Sequence, residues 1–207
     1  MFHRLLLATA IILAPVFLPV DTAAVEGIRY EVDAESSKAR YIVGEYFLVQ
    51  GNVFRRAVGE TRAISGSILL RLDSPDFLLI EPFEVDLREL VSDDPHRDED
   101  LRNRWLESSR FPIAAFVARA VEKPSDEIAP GRPVPIAVEG ELTIRRTTKP
   151  VRFTGNLTYN EETVTAELSG AIQMTDFGIR TPVILGVLRA ENDVKIELEL
   201  LLRRVAE

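Results

Sequence analysis

From residue 28 onward the sequence alternates apolar and polar side chains with a period of two, in segment after segment. The longest stretch sets Val134, Ile136, Val138, Gly140, Leu142 and Ile144 against Ala137, Glu139, Glu141, Thr143 and Arg145. Others run through Ile64, Gly66, Ile68, Leu70 and Leu72; Phe83, Val85 and Leu87; and Val151, Phe153, Gly155, Leu157 and Tyr159. Two more carry Val164, Ala166, Leu168, Gly170, Ile172 and Met174, then Val194, Ile196, Leu198, Leu200 and Leu202. Successive side chains of a strand point to opposite faces, so each segment has one dry face and one wet one. Joined by short connections at 146–150 and 160–162 and a Pro/Gly-rich loop at 123–133, such segments pair as antiparallel neighbours around a shared interior. No linker, repeat or low-complexity tract divides them. The expected fold is all-β, an antiparallel barrel of about eight strands. Alternation by itself also allows a two-sheet sandwich.

One segment breaks the period. Residues 98–107 (DEDLRNRWLE) predict a short helix with Leu101, Trp105 and Leu106 on its apolar side. Asp98 is placed to be its N-cap, and Glu99 and Asp100 lie where the helix dipole favours anions.

The first 24 residues are expected to stand outside this fold. A short positive start (Met1 to Arg4) precedes an apolar run from Leu5 to Val20, and Thr22-Ala23-Ala24 offers small residues for cleavage. That is the pattern of a secretory signal, although an uncleaved membrane anchor has similar ingredients. The run is short for a span of about 20 residues and holds Pro15 and Pro19. The expected organisation is thus a signal peptide over 1–24 and one exported domain over 25–207, periplasmic or secreted.

Composition excludes several chemistries. The chain carries a formal net charge of −8, and losing Arg4 with Asp21 leaves it unchanged. Its overall field does not draw it to phosphate backbones or anionic surfaces. It has no cysteine, hence no thiol chemistry and no Cys-ligated metal. Beyond the leader the one histidine is His96, so a His–His metal pair and a bis-histidine haem are ruled out. The acidic cluster Asp93, Asp94, Asp98, Glu99 and Asp100 lacks calcium-loop spacing and reads as helix capping plus a solvated face. No carboxylate stands out from the sequence as buried or paired. No metal, nucleic acid or catalytic role is expected.

Glycines Gly66, Gly140, Gly155 and Gly170 all fall mid-strand on the apolar phase. They either mark the bends of a small closed barrel or leave room for a ligand tunnel. Segments 45–60 and 181–192 are the expected mouth loops, with Phe47, Val53, Phe54, Ile184, Leu185 and Leu188 either as an apolar rim or as a cap on the core.

An ordered set of short motifs resembles the YceI-like family across roughly residues 28–203. These are Tyr30-Glu31-Val32-Asp33, Arg97-Asp98 with Leu101, Phe111-Pro112 with Phe116, Gly140-Glu141-Leu142-Thr143, Lys149-Pro150 and Asp176-Phe177-Gly178-Ile179. The resemblance implies a lipocalin-like exported barrel that holds an isoprenoid chain or related amphiphile, without catalysis, and it favours the tunnel reading of the glycines. Its only cofactor-like partner is then the bound isoprenoid lipid or quinone. Transient contact with a membrane or an envelope protein is compatible, as is a dimer. On this reading the apolar wall comprises Ile64, Gly66, Ile68, Phe83, Val85, Trp105, Phe116, Val138, Gly140, Leu142, Phe153, Gly155, Leu168, Gly170, Phe177, Ile196 and Leu198.

The chain departs from the family pattern in three places. Met174 stands where an Arg often precedes Asp-Phe-Gly; Arg145-Arg146-Thr147-Thr148 replaces a glycine turn; and no histidine occurs between Tyr41 and Val53. Head-group contacts are the property these changes affect. The tail needs no such contacts. At about 0.3 kcal/mol per heavy atom, a roughly 40-carbon chain reaches nanomolar affinity. Two other classes fit the sequence: a filled barrel acting as an envelope interaction module, and a hydrolase or isomerase with a buried carboxylate near the barrel mouth.

Overall fold

The computed structural model describes residues 27–72, 74, 76–122, 124 and 128–206. The signal-segment expectation over 1–24 lies outside the described residues, as do parts of the loop at 123–133.

Fourteen strand segments follow one another along the chain: β1 (Ile28–Val32), β2 (Lys38–Phe47), β3 (Val53–Thr61), β4 (Ile64–Ser65), β5 (Ser67–Leu70), β6 (Leu78–Ile80) and β7 (Phe83–Asp86). After β8 (Val91–Ser92) comes α1 (Pro95–Asp100), then β9 (Ile113–Glu122), β10 (Pro133–Ile144), β11 (Thr147–Tyr159), β12 (Thr163–Gln173), β13 (Val183–Ile184) and β14 (Leu188–Arg204). Pairing groups them into eight antiparallel runs. Segments β1 and β2 form one bent run, and β3, β4 and β5 run back along it, from Phe47↔Val53 to Ile28↔Leu70. Segments β6, β7 and β8 line the far side of that second run. Then β9, β10, β11, β12 and β14 follow in order. Finally β14 pairs with β1 and β2, from Tyr30↔Arg204 to Phe47↔Leu188, and the sheet is closed. This is the expected up-and-down barrel, and closure leaves few free edges.

The count exceeds eight because three adjacent runs are broken while the alternation continues across the breaks. Asp33 accepts hydrogen bonds from the Glu35 and Ser36 amides and turns the chain between β1 and β2. Gly66, at φ +154°, separates β4 from β5 in a backbone region that L side chains rarely adopt. Pro82, with no amide hydrogen to give to a ladder, stands between β6 and β7. The breaks of the barrel therefore lie on one side, and the five long strands on the other run unbroken, with register shifts at Glu139/Gly140 and Ala190/Val194.

The helix begins three residues earlier than the period suggests. Asp94 is its N-cap, accepting from the His96 and Arg97 amides at 2.9 and 3.4 Å, with Pro95 in the first turn. It passes into a single π turn over Leu101–Trp105. Asp98 is not the cap. It is buried and accepts from the Ser92 hydroxyl at 2.6 Å and the Ser92 amide at 3.2 Å. Asp94→Ala is accordingly expected to cost about 1 kcal/mol and Asp98→Ala about 2–3 kcal/mol, as a charged hydrogen-bond hub is lost. Thermal melts should show the larger drop for Asp98; equal drops would mean that the Ser92 bonds contribute nothing.

The turn between β10 and β11 is two residues, Arg145 and Arg146, shorter than the stretch 146–150 reads. Arg145 holds φ +57°, a region where a glycine would be unstrained. Its guanidinium pairs with Glu107 and lies 5.9 Å from the Phe111 ring centroid, which holds the arginine in place at the departure from the family's glycine turn.

Candidate functional site

The two ends of the barrel differ. At the end holding the 70–78 connection and the 159–163 turn, Tyr30, Leu70, Phe77, Val134, Tyr159 and Leu202 are packed into a closed core. The Tyr30 hydroxyl donates to the Glu161 carbonyl at 3.0 Å, and burial pushes its pKa up to about 12. The other end carries α1 and the two predicted mouth loops, and it is not sealed in this way.

Between them runs a cavity of about 350 Å³, lined from Leu202, Val164, Leu157 and Leu78 at its floor to Phe47, Pro182, Ile184 and Leu188 at its mouth. Of the seventeen wall positions expected from sequence, twelve line it: Ile64, Ile68, Phe83, Val85, Trp105, Phe116, Val138, Leu142, Phe153, Leu168, Ile196 and Leu198. The five others do not. Phe177 is packed beneath the wall in a second core cluster with Leu142, Val151 and Phe153, because its short 3-10 turn aims it into the barrel's side.

The four glycines seat other groups rather than open the lumen. A Cβ on Gly66 would stand 2.7 Å from the Phe83 ring, one on Gly140 would be 2.5 Å from the Phe116 ring, and one on Gly170 would be 2.9 Å from the Phe153 ring. A Cβ on Gly155 would strike the Glu167 carbonyl of the next strand. Three phenylalanine rings thus rest against glycines of the wall, and Phe116 and Phe153 meet edge to face with centroids 5.2 Å apart. Space for the rings comes from the glycines, and the cavity lies beyond the rings.

Polar side chains enter the lining chiefly beneath α1. Arg97 donates from Nε to Glu45 Oε1 at 3.3 Å and from Nη2 to Oε2 at 3.1 Å, a two-point grip across the mouth to β2. Its Nη1 reaches Asp93 at 2.6 Å and the Ser92 hydroxyl at 3.1 Å. Burial opposes the charge on Arg97, but the bonds to Asp93 and Glu45 outweigh it and raise its pKa above the ordinary value. The same guanidinium holds the Asp93 carboxyl below the usual range. Tyr41 rests its ring on Gly59, its cross-strand partner. The Ser92 hydroxyl donates to Asp98, and the Tyr41 ring is largely withdrawn from water; burial pushes the pKa of its hydroxyl up to about 12.

Sequence reasoning found no buried or paired carboxylate, and here it is corrected: Glu45 and Asp98 are both buried. Fifty-two residues separate Glu45 from Arg97, so no local pattern signals the pair. Each carboxylate is committed to a structural partner. Among the described residues no group of three or more His, Cys, Asp or Glu is placed to hold a metal ion.

Comparison with known proteins agrees with this geometry. The fold resembles BcnA of Burkholderia cenocepacia at 19 % identity, covering 82 % of this chain and 98 % of that one with a TM-score of 0.64. It resembles a polyisoprenoid-binding domain from Saccharophagus degradans at 13 % identity, 85 % and 98 % coverage and a TM-score of 0.64. The Campylobacter jejuni YceI protein matches at 18 % identity, with 72 % and 85 % coverage and a TM-score of 0.56. No protein of curated function matches the sequence. The model of the YceI-like domain matches residues 30–202, nearly the whole barrel. The chain belongs to the YceI-like family.

Proposed function

We propose that this protein binds a long apolar lipid chain, of the polyisoprenoid or isoprenoid-quinone class, inside its barrel and carries or stores it without chemical change. The observation that carries this reading is the cavity, which runs from a packed floor to a mouth at one end and is walled almost throughout by Ile, Leu, Val, Phe and Ala side chains. Ligand pockets of similar kind span about 300–1,000 Å³ and bury most of their occupant. A filled barrel acting only through its outer face would have no such lumen. The Saccharophagus degradans relative is described as polyisoprenoid-binding, which supports the same ligand class here. Apart from Thr61 and Arg40, the polar side chains of the wall stand near the mouth, Arg97, Glu45 and Tyr41 among them. The tail is therefore held by burial, at about 0.8 kcal/mol per CH₂, and a polar head stays at the α1 end. Export of the domain, as the leader suggests, would place this activity in the cell envelope or outside it.

Native mass spectrometry and organic extraction of protein purified from its own host test the proposal. One prenyl chain or quinone per protomer is the expected result. Protein that arrives empty and also refuses added polyprenyl lipid would turn the reading to an interaction module.

A further inference from the structure

The mouth has one lip unlike the rest of the surface. Past the last rung that β14 shares with β12, Gln173↔Asp193, the sheet continues as a flap of β13, β14, β2 and β3. The strand β3 meets β8 only at Gly59 and Glu60, so among the described residues no strand pairs with the flap on that side. The two hairpin loops are tied together by the Leu48 amide donating to the Val187 carbonyl at 2.8 Å. Among the described residues, nine of the thirteen exposed large hydrophobic side chains lie in segments 46–58 and 180–190. They include Val49, Phe54, Val183, Ile184 and Leu185, the last 92 % exposed.

Charge singles out the same two segments. They contain Arg55, Arg56, Arg180 and Arg189 and no Asp or Glu, on a chain whose net charge is −8. None of the four arginines forms an ion pair among the described residues. Arg55 lies over the Phe47 ring and Arg189 over the Tyr46 ring, each 5.2 Å from the centroid. Of the carboxylates around the lip, Glu45 is engaged by Arg97, Glu191 by the Tyr46 hydroxyl at 3.2 Å, and Asp93, which Arg55 also attracts, by Arg97 at 2.6 Å. An exposed apolar patch fringed by unpaired arginines on an otherwise acidic protein is matched to one kind of surface: an apolar interior beneath a layer of negative charge.

We propose that this lip is a membrane-docking surface, which seats the barrel mouth on an anionic lipid bilayer. Leu185 and its neighbours enter the head-group boundary while the arginines remain at the phosphate level, as long cationic side chains do. The patch is continuous with the lumen, since Phe47, Ile184 and Leu188 line the cavity. A lipid tail passing between bilayer and barrel then stays in apolar contact throughout. A second copy of this chain is a poorer occupant. An isologous contact would bring two lips of net +4 face to face. The proposal extends the lipid-binding reading, yet it is tested without reference to what the lumen holds.

The chain has no cysteine, so Leu185→Cys accepts one environment-sensitive fluorophore on the lip, and Glu162→Cys one at the opposite end. Vesicles of phosphatidylglycerol should shift the Leu185 probe to the blue and brighten it, while the Glu162 probe stays unchanged. Phosphatidylcholine vesicles should do so much more weakly. Each arginine near an anionic surface is worth about fivefold in partition. Arg55→Gln with Arg189→Gln should therefore weaken the response roughly twenty-five-fold, and added salt should weaken it in the unsubstituted background, where folding is not in question. No shift at Leu185 with phosphatidylglycerol would overturn the proposal. So would an equal shift at both ends, indifference to salt, or a shift that grows with protein concentration in the absence of vesicles, which would assign the lip to a second copy. Lumen occupancy, measured on the same samples by extraction, separates loss of docking from loss of lipid binding.

Discussion

Ala166→Phe is expected to empty the barrel while leaving it folded. Ala166 lies on β12 between Leu157 and Leu200 on the neighbouring strands, all three lining the cavity near its floor. A ring at this position points into open lumen, so overpacking should cost no more than about 1–3 kcal/mol. The ligand loses far more. Five CH₂ groups left in water forfeit about 4 kcal/mol, roughly a thousandfold in affinity. Extraction should recover almost no lipid from the variant, and its melt should remain cooperative. If a folded Ala166→Phe protein keeps its full complement of lipid, the ligand does not occupy this cavity. The glycines are poorer places for this experiment. A side chain at Gly170 meets the Phe153 ring and the Arg152 carbonyl, and one at Gly155 meets the backbone of β12, so either change injures the wall before it fills the lumen.

Arg97→Leu should be the most destabilising single change near the mouth. It removes the two-point contact to Glu45, a residue only 6 % exposed, and leaves a buried carboxylate without compensation. Breaking such a pair costs about 3–5 kcal/mol, and for a domain of this size that lowers Tm by roughly 10 °C. Adding Glu45→Leu should recover most of the loss, because a buried ion pair and an apolar pair of similar volume are often equal in stability. The contact to Asp93 adds little, since that carboxylate is mostly exposed. Helix α1 is tied to β2 through Glu45 and Arg97, so the single variant should also exchange bound lipid faster. A melting temperature within a degree or two of the parent would show that the helix is held by its apolar side alone.

Which residues were legible in the sequence follows from how local each signal is. Strands β10, β11 and β12 could be read because period-two alternation persists over 11–13 residues and a strand has no other way to sort its faces. Eleven of the twelve wall residues follow from the same kind of phase along their strands, and Trp105 from the apolar side of the helical segment. Glycine is ambiguous in such a pattern, because a residue without a side chain joins the inward phase whether it opens the lumen or seats a neighbour's ring. The helix start was misplaced for a related reason. Both Asp94 and Asp98 suit an N-cap by type, and Pro95 at the first turn was the local clue in favour of Asp94. The mouth loops could be placed by composition, but their joining into one flap depends on pairing between residues about 140 positions apart.

The sequence by itself determined the class of fold, the apolar character of the inward faces and the absence of thiol chemistry. Those properties depend on residue type and on neighbours one or two positions away. Tertiary structure alone decided where the sheet closes, which end is packed shut, that Glu45 meets Arg97, and that the interior remains a cavity. Each of these depends on register between distant strands and on whether side-chain volumes fill the space enclosed, and neither quantity is written in any local stretch of chain.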